Sequence, residues 1–371
     1  MKRIWILVLS VWMLTCSGCI RSVQLNERAI VQAVGLDKEE DGYALTLQLF
    51  DPEAGEETAT SGGKILHVKG KTISEAMRNA NLQQGQEIFY GHTKLILFGD
   101  TIAREGIAAA VDTFNSNPQF RPGMDMLVTD GKASQVLAKP LDQTILPVLS
   151  TKMMLEGYRD NGKVIRSQLR GVAASLENQA TGSYLPIAAA SADEQNPGIQ
   201  IIGTAILQDG KTVGALSPEE TRGLLWAAGE MGKTQLTLEQ EAFGAVTLEV
   251  VWSSVSVTAT IQNGAPFYQV QIRVESNVSE EILSQEEMSM TKRYDRYEQE
   301  QGELIRQETE QVLQRLFHEF SCDALGYANV LIQQQPAYWK EQQDRYVQQL
   351  DSVGFSVEVD SRVNRAGTAL S

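Results

Sequence analysis

Between residues 246 and 274 the chain alternates apolar and polar positions with a period of two, and that pattern admits few structures. Val246, Leu248, Val250 and Trp252 fall on even positions, whereas Val255, Val257, Ala259 and Ile261 fall on odd ones. Such alternation is a half-buried strand, and the change of parity near Ser253-Ser254 predicts a bulge or a break. Asn263-Gly264 then turns the chain into Tyr268, Val270, Ile272 and Val274, because a tight hairpin turn wants residues that tolerate positive φ. An antiparallel hairpin with one covered face follows. Its cover is an amphipathic helix in the Glu/Gln-rich stretch 280–320, where Ile305, Val312, Leu313, Leu316, Phe317 and Phe320 make one apolar stripe. That helix is expected to pack on its own sheet, with the polar run 284–311 left in solvent. Phe355, Val357, Val359 and Val363 read as a last strand.

The first half has a different rhythm. Residues 29–36 and 43–50 read as strands joined across the charged turn 37–42. Thr72 or Ser74 opens a helix, and Thr72 with Glu75 predicts a capping box. A buried strand at 94–98, one helix through Ile102, Ile107, Val111 and Phe114, a strand at 124–129 and a short helix at 132–139 follow. Strands alternating with helices predict a mixed α/β domain over 29–190. Residues 191–198 (SADEQNPG) read as a linker, and 199–371 as an α+β domain of antiparallel sheet plus long helix. That second domain opens with a strand at 199–207, a turn at Asp209-Gly210, and a helix capped by Ser217 with Pro218 at its first position.

The N-terminus carries an address. Met1-Lys2-Arg3 precedes an uncharged run at 4–14, too short to cross roughly 30 Å of hydrocarbon as a helix. A charged head, a short apolar run and small residues describe a secretory signal. Ser17-Gly18-Cys19 supplies the small residues and cysteine that a lipoprotein signal peptidase requires; Cys16 fits poorly, with Thr15 at the cut. Residues 1–18 are thus expected to be removed between Gly18 and Cys19. Cys19 would carry diacylglycerol on its sulfur and palmitate on its new amino terminus, with 19–28 as a tether. Two or more acyl chains give a durable anchor. Of the three cysteines only Cys322 then remains, so no internal disulfide forms.

Charge narrows the partners. The net charge of −15 becomes −17 once Lys2 and Arg3 leave with the signal, which disfavours nucleic acid. Catalytic constellations are missing from the sequence pattern: His67, His92 and His318 are far apart, and no metal-ligand spacing, nucleophile elbow or phosphate loop occurs. His92 is read as a structural histidine and Cys322 as a buried, inert thiol. Glu219-Glu220 and Glu286-Glu287 are read as solvated pairs near helix starts, and Trp226, Trp252 and Trp339 as packing residues. No enzyme, cofactor or metal site is expected.

Several stretches resemble the spore-germination lipoprotein family, the C subunits of nutrient germinant receptors. Gln24-Leu25-Asn26 and Gly35-Leu36-Asp37 follow Cys19 as in that family, although Ile20, Arg21 and Gln24 depart from its usual residues. Lys71-Thr72-Ile73-Ser74-Glu75-Ala76, Tyr90-Gly91-His92-Thr93-Lys94 and the run from Gly99 to Gly106 are similar to its N-terminal motifs. Gly203-Thr204-Ala205, Gly214, Leu216-Ser217 and Glu220-Thr221-Arg222-Gly223-Leu224-Leu225-Trp226 are similar to its C-terminal ones. Asp323, Leu325-Gly326, Trp339, Arg365 and Gly367 complete the resemblance, with Ala328 where the family has glycine. It implies residence on the outer face of the spore inner membrane, with a membrane A subunit and a permease-like B subunit as partners. It also implies a non-catalytic role in assembling or coupling that receptor. The alternative is a solute-binding lipoprotein that feeds a transporter, but such proteins have two similar lobes and these halves differ.

Overall fold

The computed structural model describes residues 28–50, 64–138, 147–178, 180–191, 198–240, 244–283 and 288–364. β1 (Arg28–Glu39) and β2 (Gly42–Leu49) form the expected hairpin, with Glu39 opposite Gly42. β3 (Ile65–Gly70) extends it, and α1 (Ile73–Gln83) follows with Ile73, Ala76, Met77 and Ala80 buried at helical spacing. Thr72 caps α1, its hydroxyl accepting from the Glu75 amide at 3.1 Å. The reciprocal half of the expected capping box slips by one residue. The Glu75 carboxylate accepts from the Lys71 amide at 2.7 Å instead of from Thr72.

β4 (Glu87–Phe89) pairs with the start of β1, and β5 (Leu95–Phe98) with its middle. The single helix expected through Ile102 to Phe114 is two, α2 (Asp100–Glu105) and α3 (Ala108–Ser116). Gly106, at φ 133°, separates them, because that angle lies outside helical space and is open to glycine. All four apolar side chains still reach one core. β6 (Asp125–Thr129), α4 (Ala133–Ala138), α5 (Pro147–Glu156), α6 (Tyr158–Asn161), α7 (Leu169–Glu177) and β7 (Ser183–Ala190) complete the first half. β1, β5, β6 and β7 are parallel neighbours. β5 and β6 are buried along their whole length, because helices cover both faces of the sheet. α1, α2, α3 and α7 pack one face, and α4 with α5 the other.

The chain does not change sheets at the expected linker 191–198. β8 (Ile199–Gln208) pairs antiparallel with β7, and β9 (Lys211–Leu216) with β8, so both belong to the first sheet. That sheet runs β3-β2-β1-β5-β6-β7-β8-β9, with β4 beside β1. The expected Asp209-Gly210 turn joins β8 to β9, both residues at positive φ. α8 (Pro218–Ala228) begins at the expected Ser217 cap, which the structure completes as a reciprocal capping box with Glu220.

The second sheet holds β10 (Gln235–Gln240), β11 (Gly244–Gln262), β12 (Ala265–Leu283) and β13 (Gly354–Asn364) in that order. β11 and β12 are the expected hairpin, turned at Asn263-Gly264. The parity change is a bulge between Val250 and Trp252 in one continuous strand. The sheet is antiparallel as expected from β10 to β12, and β13 joins it parallel to β12. A parallel neighbour needs a long crossover, and three helices provide it: α9 (Met290–Gln314), α10 (Tyr327–Gln334) and α11 (Pro336–Gln342). The helix expected from residue 280 begins only at Met290, since 280–283 still pair within β12. α9 ends in a wide π turn at Arg315–Glu319, and its stripe Ile305, Val312, Leu313, Leu316 and Phe317 is buried as expected.

α8 and α9 touch backbone to backbone. A β-carbon on Gly223 would collide with the Glu308 carbonyl and crowd the Val312 side chain. Gly223→Ala should therefore destabilise the protein by about 1–3 kcal/mol. Urea unfolding checks this, and an unchanged midpoint would show that the helices can part freely.

Candidate functional site

The two sheets meet along a seam built from β8, β9, α8, α9 and the segment after α9. Its apolar filling is Ile165, Ile206, Leu216, Leu224, Val312, Leu316 and Cys322, drawn from both halves of the chain. Polar groups fix its register. Thr204 on β8 and Thr221 on α8 share a hydrogen bond of 2.8 Å. Arg222 grips both carboxylate oxygens of Glu308, which also accepts from the Trp226 indole N–H at 3.3 Å. Arg315 reaches from the π turn to Glu220 at 2.6 Å.

Asp323 lies at the centre. Its carbonyl accepts from the Gly182 amide at 2.9 Å, which ties the chain after α9 to the strand β7. Its carboxylate, fully buried, accepts from the Tyr327 and Ala328 amides at 2.9 and 2.6 Å and from the Tyr346 hydroxyl at 3.1 Å. The two amides are orphan donors of the first turn of α10, so Asp323 caps that helix. The Tyr346 and Tyr268 hydroxyls hydrogen-bond at 3.0 Å, and Tyr327 donates to the Ala227 carbonyl at 2.9 Å. One side chain therefore connects α10, β12, and the 3₁₀ segment before β13. Gly182 has to be glycine for this approach, since a β-carbon there would strike the Cys322 sulfur.

Beside this node a cleft of about 650 Å³ opens between the two halves. Tyr158, Arg166, Arg170 and Tyr184 line it from the first half, and Glu230 and Asn329 from the second. Arg166 is held bidentate on the buried Asp125, at 2.7 and 3.1 Å, with Lys152 at 3.4 Å from the same carboxylate. That hydrogen-bonded pairing raises the Arg166 pKa. Tyr184 donates to Glu230 at 3.3 Å, and burial pushes its phenol well above the usual range. Arg166 is thus matched by Asp125, and Glu230 accepts from Tyr184. Among the described residues no three His, Cys, Asp or Glu side chains are placed to hold a metal.

The residues singled out from sequence fall in several places. Gly18, Cys19 and Glu286-Glu287 lie outside the described residues. Cys322 is buried, its thiol pushed far up by burial, with Sγ 3.5 Å from the Leu207 carbonyl. His67 Nδ1 pairs with the Thr46 hydroxyl at 3.0 Å and His318 Nε2 with the Val353 carbonyl at 2.8 Å. His92 is exposed and tilts against Phe89. Trp226 is buried, and Trp339 packs edge-on to Tyr346. Trp252 does not pack a core: it is 48% exposed, because the bulge at Val250 turns it outward. The Asp125–Arg166 pair was invisible in the sequence, its members standing 41 positions apart.

The molecule is therefore a two-sheet α+β protein stitched through one helix pair and a buried aspartate. It belongs to the spore germination protein family: residues 21–190 match its N-terminal domain and 202–367 the domain described as spore germination B3/GerAC-like, C-terminal. The chain is 24% identical to spore germination protein B3 of Bacillus subtilis (strain 168), over 96% of each chain. It is 22% identical to spore germination protein KC of the same organism, over 94% of this chain and 92% of that one. The crystal structure of the GerBC protein has the same fold, with TM-score 0.60 and 19% identity over 90% of this chain and 97% of that one. The two family domains divide near residue 190, whereas the first sheet runs on to Leu216.

Asp323 yields a pH test. Burial raises its carboxyl to about 6 from an ordinary 3.8, against the pull of the Ala328 and Tyr327 amides and the Tyr346 hydroxyl. The folded state then holds this proton more tightly than the unfolded chain. The group's contribution to stability is full below the lower value and is lost as pH rises through the upper one. Asp323→Asn should cost about 1–3 kcal/mol by setting an amide NH₂ against an N–H donor. Its deficit against wild type should be larger at pH 4 than at pH 7. Urea midpoints at the two pH values measure it; a constant deficit would remove Asp323 as the titrating group.

Proposed function

We propose that this chain serves spore germination as the lipid-anchored, non-catalytic subunit of a nutrient germinant receptor. The observation that carries the reading is the match to both domains of the germination family, in order, along nearly the whole chain. The named relatives are themselves spore germination proteins, which supports the same process here. Ser17-Gly18-Cys19 supports attachment through a lipid on Cys19. In this reading the protein sits on the outer face of the spore inner membrane beside a membrane A subunit and a permease-like B subunit. The stitched seam supports a scaffold role, because two sheets locked through Asp323 and the α8–α9 contact present fixed surfaces to partners.

A second reading, capture of a small polar nutrient, draws support from the cleft between Arg166, Tyr184 and Glu230. Calorimetry with amino acids and sugars separates the two. Tight stoichiometric heat would favour capture, and its absence the scaffold.

The anchor has its own test. Cys19→Ala should move the protein from the membrane to the soluble fraction and lower nutrient-triggered germination towards that of spores lacking the protein. A variant that still fractionates with membrane would remove the anchor from the reading.

A further inference from the structure

One end of the first sheet differs from the rest of the surface. β1 starts there at Arg28, whose guanidinium lies over the Phe89 ring at 4.7 Å and 3.9 Å from Glu87. Phe50 leaves β2 at the same end, its amide donating to the Ile30 carbonyl at 2.8 Å. Asn81, in the last turn of α1, accepts from the Ile88 amide at 2.9 Å and so fixes that turn against β4. Its neighbour Leu82 points out and is 83% exposed, the most exposed of the large apolar side chains among the described residues. The Tyr90 amide donates to Gln119 at 3.0 Å and brings the loop after α3 into the same surface.

Charge there is unlike the rest of an acidic chain. Between Ala76 and Gly99 the only acid is Glu87, which faces Arg28; between Thr113 and Met124 there is none. Arg78, one turn from Leu82 on the same side of α1, is exposed, as is Arg121. The segment 51–63 joins β2 to β3 at this end and carries Asp51, Glu53, Glu56 and Glu57. The acid-poor part of this end is the two loops α1–β4 (84–86) and α3–β6 (117–124), which carry no carboxylate.

We propose that this surface rests on the headgroup layer of a phospholipid bilayer, with Leu82 inserted at its edge. The proposal rests on the lipid anchor at Cys19. Cys19 stands nine residues before Arg28, so a fully extended tether reaches at most about 30 Å. The far end of β1, at Glu39, lies eleven residues beyond Arg28, or about 36 Å along the strand. The tether is too short to bring that far end to the lipid. The near end is held against the bilayer, where an exposed leucine gains by burial and arginines meet anionic headgroups.

The test uses the full-length lipidated protein in phosphatidylethanolamine–phosphatidylglycerol vesicles with brominated acyl chains. A fluorophore is attached through Leu82→Cys or, at the opposite end of the first sheet, through Glu40→Cys; buried Cys322 leaves the introduced thiol as the reactive one. The expected result is loss of most fluorescence from the probe at 82 and none from the probe at 40. Equal signals at the two sites, with the protein still floating with the vesicles, overturn the proposal alone. Failure to float overturns the anchor and the proposal with it.

Discussion

Burying a carboxylate is costly unless every lone pair is met, and the structure is arranged around one such group. Asp323 has no exposed surface, and its oxygens are shared among two amides of α10, a tyrosine hydroxyl and, through the main chain, Gly182. Those contacts fix where the chain goes after its longest helix. They place α10 under the second sheet and hold Tyr346 against Tyr268. They also set the turn between α9 and α10 against Gly182, just before β7 of the first sheet. Removing any one donor leaves charge without compensation, so the node works as a unit.

The α8–α9 contact makes the same argument with sterics. Helix backbones approach this closely only where a side chain is missing, and Gly223 supplies that gap opposite Glu308. Arg222, the residue before it, then meets the Glu308 carboxylate where water is largely excluded. β8 and β9 belong to the first sheet by hydrogen bonding and to the seam by packing. A boundary drawn on the sheets and one drawn on the family domains therefore differ by about two strands, and both describe the same chain.

The legible parts of this protein were the local ones. The Asn263-Gly264 and Asp209-Gly210 turns and the Ser217 cap each depend on residues a few positions apart and stand where the pattern puts them; the bulge in β11 falls between Val250 and Trp252, just before the expected Ser253-Ser254. The helix expected through Ile102 to Phe114 split because apolar spacing survives a break at Gly106. The outward turn of Trp252 escaped for a related reason, since alternation reports a bulge but not which side chains it ejects. The cleft could not be read at all. Arg166 and Asp125 have no periodic relation, and Tyr184 meets Glu230 only because two sheets are joined.

By itself, the sequence determined the class of elements, their turns and caps, the signal-like N-terminus and the kinship to a germination family. These follow from periodicities and short motifs, whose physics is complete within a few residues. Tertiary structure decided which sheet β8 and β9 join, why β13 runs parallel, what Asp323 holds and where Leu82 faces. Each of those depends on partners tens of residues away, brought together by packing that no local pattern encodes.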